Sequence, residues 1–382
     1  MENLDQIRTE INKIDDELVR LFVHRLEVVE KVAEAKRASG RAVFDPARER
    51  AILSHVAETV GPSYEYSARL LFSTLFNISR ARQRDVLDRG GRLSEMIGRV
   101  RSETPAVFPT RVTVACQGGE GAYSQQAASR LFLFPTITFK PSFDDVFSAV
   151  EKGECRYGVL PIENSNAGSV TAVYDLMVRH RFHIVKAIRQ RIDHVLLANR
   201  GAALSGIREV LSHPQALAQC SRFLLEHPEM KPVSGSNTAL SAKELAESGR
   251  LDLAVIASRS CAELYGLDII DEGVADSPMN YTRFIVISKT PEIYSDAKKF
   301  TIQMSLPHKP GTLYYVMAKF AAININLTKL ENRPIPGSDF EMQFTFDFEA
   351  SPSDPQVLRL LDELAGDPDV ERFTFLGAFP EI

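Results

Sequence analysis

No stretch of this 382-residue chain approaches the ~18 consecutive apolar residues of a membrane-spanning helix. The opening MENLDQIRTE is acidic and polar and lacks the apolar core of a signal peptide. Cysteine is scarce: Cys116, Cys155, Cys220 and Cys261 are spaced too widely for a zinc site or a disulfide framework. They read as reduced packing thiols, and a cytoplasmic location is expected. There is no basic excess. A net charge of −5 and a pI near 6.0 argue against bulk nucleic-acid binding, so any anion recognition must be local. The histidines contain no HExxH, and the HRFH at 180–183 is an unsupported i, i+3 pair better read as surface or core than as metal ligands. Internal repeats and low-complexity segments are absent. What remains is 44% hydrophobic and 25% charged, ordinary for a soluble globular protein of two or three domains.

Three textures follow one another. Residues 4–39 lack Pro and Gly and carry an apolar period of 3.6 from Leu4, Ile7, Ile11 and Ile14 onward, with Gly40 as a stop. Asp45 and Pro46 restart a helix that Gly61-Pro62 ends. A third helix runs from about Tyr64 to Asp88, closed by Gly90-Gly91. A 36-residue first helix is about 54 Å long, too long for so small a domain to cover, which predicts an intertwined dimer. Residues 91–110 read as a linker. From Arg111, β-rich runs alternate with helices, suggesting α/β layers with mostly parallel strands to about residue 290. A second linker, 289–299, precedes a βαββαβ pattern over 299–382, the ferredoxin-like arrangement of a small regulatory module.

Within ELVRLFVHRLEVVEKVAEAK (17–36), Arg25 and Lys36 interrupt the apolar face. A buried unpaired charge is costly. On spacing alone they either pair with internal carboxylates such as Glu49 or meet an anionic ligand. Arg8 lies 17 residues before Arg25, about 25 Å along the helix, and reaches the same small molecule only from a partner chain.

In CQGGEGAYSQQA (116–127), Ser124 stands where a dinucleotide fingerprint needs its third Gly. A carboxylate cradled at the helix start fits better, beside the alternative of a tight turn. PIENSNAGSV places Glu163, Asn164 and Ser165 in a strand-to-loop turn, and SHPQALAQC places His213 at a helix start. In NYTRFIVI, Thr282 and Arg283 sit at the mouth of an apolar strand, where α/β ligands gather, or serve as a cap and a surface Arg.

Three motif sets thus occur in one order. The helical segment resembles the chorismate mutase domain. The GGEGAYS loop, ENS turn, SHPQ helix start and TRF strand resemble prephenate dehydratase. HKPGTLYYVMAKF and LTKLENRPIPG resemble the ACT regulatory domain, with ENRP here for the family's ESRP. The whole chain resembles the bifunctional chorismate mutase/prephenate dehydratase family. The resemblance implies a multidomain protein: an all-α mutase domain (1–90), a two-subdomain, periplasmic-binding-like α/β dehydratase domain (111–290) and an α+β ferredoxin-like ACT domain (299–382).

Carried over residue by residue, it implies a mutase pocket of Arg8, Arg25, Lys36, Asp45, Arg48, Glu49, Ser79 and Gln83. Arg8 and Arg25 would clamp the carboxylates of chorismate. Lys36 and Gln83 would donate to the ether oxygen, and Asp45 and Glu49 would hold the ring hydroxyl. The dehydratase site implied is a cleft with Thr282 as the leading catalytic residue, Arg283 as a carboxylate anchor, and Ser124, Asn164 and Ser165 as further prephenate contacts. L-phenylalanine is the implied effector, at Gly311, Thr312, Leu313, Glu331, Asn332, Arg333 and Pro334. No metal, organic cofactor, nucleic acid or membrane is expected. A homodimer or tetramer is. The rivals are an amino-acid-responsive binding protein that has lost catalysis, and a chain in which only one of the two active domains works.

Overall fold

The computed structural model describes residues 3–87, 93–335 and 341–382. The first region is helical: α1 (Leu4–Ser39), α2 (Pro46–Val60) and α3 (Glu65–Leu87). Asn3 opens α1 with a reciprocal capping box, and Gly40 closes it in the left-handed conformation that favours glycine. Only the C-terminal half of α1 is covered: Val29 and Ala33 are buried, and Glu30 pairs with Arg82 of α3. Residues 4–24 are exposed throughout, including Ile11, Ile14, Leu18 and Phe22.

The segment expected as a linker is corrected in part. Gly90 and Gly91 lie outside the described residues, but Leu93–Glu103 forms α4. Ile97 and Val100 are buried in the core of the C-terminal module, and Ser94 bonds Asp362 there at 2.9 and 2.6 Å. Leu93, Met96, Ile97 and Val100 have the i, i+3, i+4, i+7 spacing of one helix face.

Two α/β sheets follow. The first contains β1 (Arg111–Gln117), β2 (Phe134–Lys140), β3 (Tyr157–Asn164), the short β4 (Gly168–Ser169) and β5 (His183–Arg191). Its helices are α5 (Tyr123–Leu131), α6 (Phe143–Glu151) and α7 (Thr171–His180). The second contains β6 (His194–Ala198), β7 (Glu209–Ser212), β8 (Lys231–Ser234), β9 (Leu253–Ser258) and β10 (Asp268–Asp271). Its helices are α8 (Pro214–Ala218), α9 (Ser221–Glu226), α10 (Thr238–Ser248) and α11 (Ser260–Tyr265). Strand β11 (Tyr281–Ser288) then returns to the first sheet between β3 and β5, giving the order β2-β1-β3-β11-β5.

The sheets are mixed rather than mostly parallel: β11 runs antiparallel to both neighbours, and β6 to β9. The crossing from one sheet to the other and back imposes those reversals. The two crossings, β5 to β6 and β10 to β11, are tied by Ile192 N–H donating to Asn280 O at 2.8 Å.

The C-terminal module has β12 (Lys299–Leu306), α12 (Thr312–Ala322), β13 (Leu327–Pro334), β14 (Met342–Glu349), α13 (Pro355–Ala365) and β15 (Glu371–Phe379). Its antiparallel sheet has the order β13-β14-β12-β15 of the expected βαββαβ arrangement. The second expected linker is packed, with Ile293, Tyr294 and Ala297 buried. The module also shares the core of the first α/β sheet. Leu376 and Phe379 of β15 pack with Phe147, Leu160 and Ile285. A Cβ on Gly377 would stand 2.2 Å from Ile184 O, so only glycine permits this approach. No helix among the described residues is long and apolar enough to cross a membrane.

Candidate active sites and effector module

On α1, Arg25 and Lys36 have no carboxylate within ion-pair distance among the described residues. Arg25 Nη1 donates to Ser79 Oγ of α3, and burial holds the guanidinium below its ordinary pKa. Lys36 Nζ donates to Val43 O at 2.6 Å. Glu49, the internal carboxylate weighed as their partner, is instead taken by Arg80 Nη1 at 2.6 and 2.7 Å. Arg80 places one donor atom on the two oxygens, so Glu49 keeps acceptor capacity.

Gln83 is buried one turn below Ser79. Its Nε2 donates to Ser79 O at 3.3 Å, and its Oε1 has no partner among the described residues. Lys36 and Asp45 line a recess of about 460 Å³ with Val32, Phe44 and Pro46. Asp45 also caps α2 by accepting from Arg48 N–H at 3.0 Å, while the Arg48 side chain is exposed. Arg8 is exposed on the uncovered half of α1, 3.6 Å from Asp5. The fold thus groups Arg25, Ser79 and Gln83, sets Lys36 beside Asp45, and leaves Arg8 apart.

The cleft between the two α/β sheets has a volume of about 470 Å³, within the range of small-molecule sites. The N-caps of α5, α6, α7, α8 and α10 all face it: Ala122, Ser142, Val170, His213 and Asn237. No charged side chain is among its lining residues. Ala122 and Val170 have no side-chain cap to offer, so α5 and α7 present their first N–H groups uncapped. Converging helix N-termini attract anions without a cationic side chain.

Thr282 and Asn164 face each other across β11 and β3 in this cleft. Asn164 Oδ1 accepts from the backbone N–H groups of Asn166 and Ala167 at 3.0 and 2.9 Å, which fixes the orientation of its amide. Asn164 Nδ2 therefore donates to Thr282 Oγ1 at 2.9 Å and to Asn280 Oδ1 at 2.8 Å. Asn280 Nδ2 donates to Gln219 Oε1 at 3.0 Å, and Gln219 Nε2 returns to Asn164 Oδ1 at 3.4 Å. Three amides thus close a ring. Gln219 Oε1 faces His194 Nε2 at 3.1 Å, so Nε2 carries the proton. His194 is 3% exposed, and burial lowers its pKa against the smaller opposing effect of Gln219. Burial likewise raises Tyr123, whose hydroxyl donates to Asp193 O at 2.7 Å. Ser124 lines the cleft and donates to Gln117 O at 2.7 Å.

Two expected contacts lie elsewhere. Ser165 is outside the cleft lining, where its Oγ accepts from Tyr281 N–H at 3.0 Å. The expectation that Arg283 anchors a substrate carboxylate is corrected by strand alternation: next to Thr282, it faces the opposite side. There its Nη1 donates to Asp347 Oδ2 of the C-terminal sheet at 2.6 Å. His194, Gln219 and Asn280 were not singled out from the sequence. Asn280 stood two residues before Thr282, and a polar residue at that strand mouth was the available signal.

In the C-terminal module, Gly311 caps α12 at φ 87° with no side-chain cap; Thr312 N–H donates to Lys309 O at 3.4 Å, and Leu313 N–H is at the helix start beside it. Along β13, Glu331 and Arg333 alternate with Asn332 and Pro334, which are exposed. Glu331 accepts from Ser169, and Arg333 pairs with Asp175 at 2.5 Å, so both hold the first α/β layer through β4 and α7.

Comparison with known proteins accords with this geometry. The family model described as chorismate mutase type II matches residues 7–84, and that described as prephenate dehydratase matches residues 114–292. The chain is 30% identical over 381 residues to the bifunctional chorismate mutase/prephenate dehydratase of Escherichia coli K12, covering 98% of this chain and 95% of that one. It is 40% identical over 272 residues to arogenate dehydratase/prephenate dehydratase 2 of Arabidopsis thaliana, covering 67% of this chain and 71% of the relative. The solved prephenate dehydratase of Arthrobacter aurescens in complex with L-Phe superposes with a TM-score of 0.62 at 30% identity, covering 70% of this chain and 90% of that one.

Proposed function

The chain belongs to the bifunctional chorismate mutase/prephenate dehydratase family of phenylalanine biosynthesis, and from that premise we propose where each of its two reactions takes place. Chorismate rearranges to prephenate within one molecule, so the protein needs to fold a dianion into its reactive conformer and stabilise charge at the ether oxygen. Arg25 and Lys36, cations without carboxylate partners, meet that need. Arg25 clamps a substrate carboxylate, and Lys36 and Gln83 donate to the ether oxygen. The second carboxylate is taken by Arg8 of the partner subunit. The uncovered apolar face of residues 4–24 supports this dimer, since a stripe of Ile11, Ile14 and Leu18 is stabilised by burial on its like. A dimer of these dimers is the further assembly the reading admits.

Prephenate then takes up one proton and loses its ring carboxylate as CO2 and its ring hydroxyl as water, leaving phenylpyruvate. The single observation that carries the assignment is the Asn164-to-Thr282 hydrogen bond. Because Thr282 Oγ1 is already an acceptor there, its own proton is free, and no described residue takes it. Thr282 donates that proton's hydrogen bond to the departing hydroxyl, and the proton consumed comes from water. The helix N-termini hold the carboxylates, Ser124 through its backbone N–H in the first turn of α5, since its hydroxyl proton is engaged by Gln117 O. Arogenate, named for the Arabidopsis relative, carries an ammonium in place of the keto group, and no cleft residue offers it a carboxylate.

L-Phenylalanine, the ligand of the Arthrobacter aurescens relative, is the effector we assign to the C-terminal module. Its carboxylate meets the start of α12 at Gly311–Leu313, and Glu331–Pro334 on β13 form the rest of the site, Asn332 and Pro334 from the exposed face and Glu331 and Arg333 from the face that also meets Ser169 and Asp175. The four buried free cysteines accord with a reducing, cytoplasmic setting. The test is to supply chorismate alone and follow prephenate and phenylpyruvate together, with and without L-phenylalanine. Sequential appearance of both, slowed by the amino acid, is expected. Prephenate without phenylpyruvate, or neither, would contradict a two-reaction enzyme.

A further inference from the structure

We infer that Arg283 is a positioning residue of the dehydratase, clamped by Asp347, so that the C-terminal sheet completes the active site of the domain before it. The inference rests on the placement of the dehydratase reaction at Thr282.

Thr282 and Arg283 are neighbours on β11, and Asn164 and Glu163 are their partners on β3. One pair faces the cleft and the other faces the C-terminal module. The register slips between Arg283 and Phe284, so the ladder that aligns Thr282 with Asn164 is interrupted immediately beside them. Such irregularities re-aim side chains; since β5 pairs with Tyr281–Val286 without a break, it is the β3 side, with Glu163 and Asn164, that leans on side-chain contacts.

Those contacts come from the other domain. Arg283 is 6% exposed, and Asp347, which accepts from Nη1 at 2.6 Å, is fully buried. Asp347 Oδ1 is itself held by Thr301 Oγ1 at 2.7 Å. Among the described residues Arg283 Nε and Nη2 are buried without hydrogen-bond partners and Asp347 alone hydrogen-bonds this cation, while Glu381 Oε2, itself 2.7 Å from Lys299 Nζ, lies 3.8 Å from Nη1. Across the ladder, Glu163 Oε2 lies 3.6 Å from Arg283 Nε, and Glu163 Oε1 lies 3.2 Å from Lys329 of β13. Glu163 is therefore suspended between Arg283 and the C-terminal sheet, and the next residue, Asn164, orients Thr282. A small displacement of Glu163 tilts the amide that gives Thr282 its hydrogen bond.

The variants Glu163→Gln and Arg283→Met/Asp347→Leu test this in the full chain. Glu163 is part-exposed, and the double variant replaces a buried ion pair by apolar side chains, a change that stability tolerates. Dehydratase kcat and KM are measured separately on prephenate, with mutase turnover and the melting temperature as controls of folding. We expect kcat to fall about 10- to 100-fold with KM unchanged in both variants. Normal kcat in Glu163→Gln overturns the inference, even if the double variant fails to fold. Normal kcat in a folded double variant also overturns it and assigns the pair to packing alone. A raised KM with normal kcat overturns it too, because it marks a substrate contact. Thr282→Ala, run in parallel, separates the two readings. If that variant keeps its turnover, the placement at Thr282 has failed. If it is inactive while the other variants are normal, only the positioning role has failed.

Discussion

Asn164 Nδ2 donates to Thr282 Oγ1 at 2.9 Å, and Asn164 cannot turn its amide round, because two backbone N–H groups hold its Oδ1. An uncharged side chain thereby decides which way a threonine proton points. Asn164→Asp puts an acceptor where Nδ2 now donates, and Thr282 then gives its proton to the carboxylate instead of the substrate. Dehydratase kcat should fall by about 100-fold, with mutase turnover unchanged, in assays that supply prephenate and chorismate separately. Normal dehydratase turnover would contradict the orientation described.

Lys36→Ala removes a donor to the developing charge while deleting, among the described residues, one side-chain hydrogen bond, to Val43 O. Mutase kcat should fall by about 100- to 1,000-fold with the circular-dichroism melt unchanged. Near-normal mutase turnover would move the ether-oxygen contact elsewhere.

The apolar face of α1 gives a prediction about assembly. Leu18 is 55% exposed in the single chain. Leu18→Glu should yield a lone chain in sedimentation, without mutase activity and with its dehydratase intact. A monomeric variant with normal mutase turnover would show that Arg8 is not supplied by a partner.

Stability should depend on pH through His183 and His194. Burial is the first cause in both and lowers both pKa values below the ordinary 6.5. As pH falls below 6.5, the unfolded chain takes up protons that the folded chain refuses, so stability declines from there toward the lowered folded-state values. It is fully present above 6.5. Thermal melts at pH 7.5 and 5.5 should show the drop, and His194→Gln should shrink it. A flat profile would contradict the neutral state assigned to the two rings.

The helices of the first region were legible because their ends carry chemistry: Asn3, Gly40, Asp45 and Pro46 are caps whose preferences follow from the backbone. Helix α4 was hidden by its setting. Its face of Leu93, Met96, Ile97 and Val100 is regular, but it lies between a Gly-Gly step and a proline-rich stretch that read as linker. The direction of Arg283 was available from strand alternation alone, whereas its partner Asp347 was not. The amide ring was not legible either, since Gln219 comes from one subdomain, Asn164 from the other and Asn280 from the crossing between them. Charge pattern likewise singled out Arg25 and Lys36 as misfits but could not tell that Arg80 would claim Glu49.

The most direct test of two reactions at two separate sites is to give chorismate to the Thr282→Ala variant and follow both products. The account predicts that prephenate accumulates at the normal mutase rate and phenylpyruvate does not appear. Phenylpyruvate at the normal rate, or loss of both products from a folded protein, would contradict it.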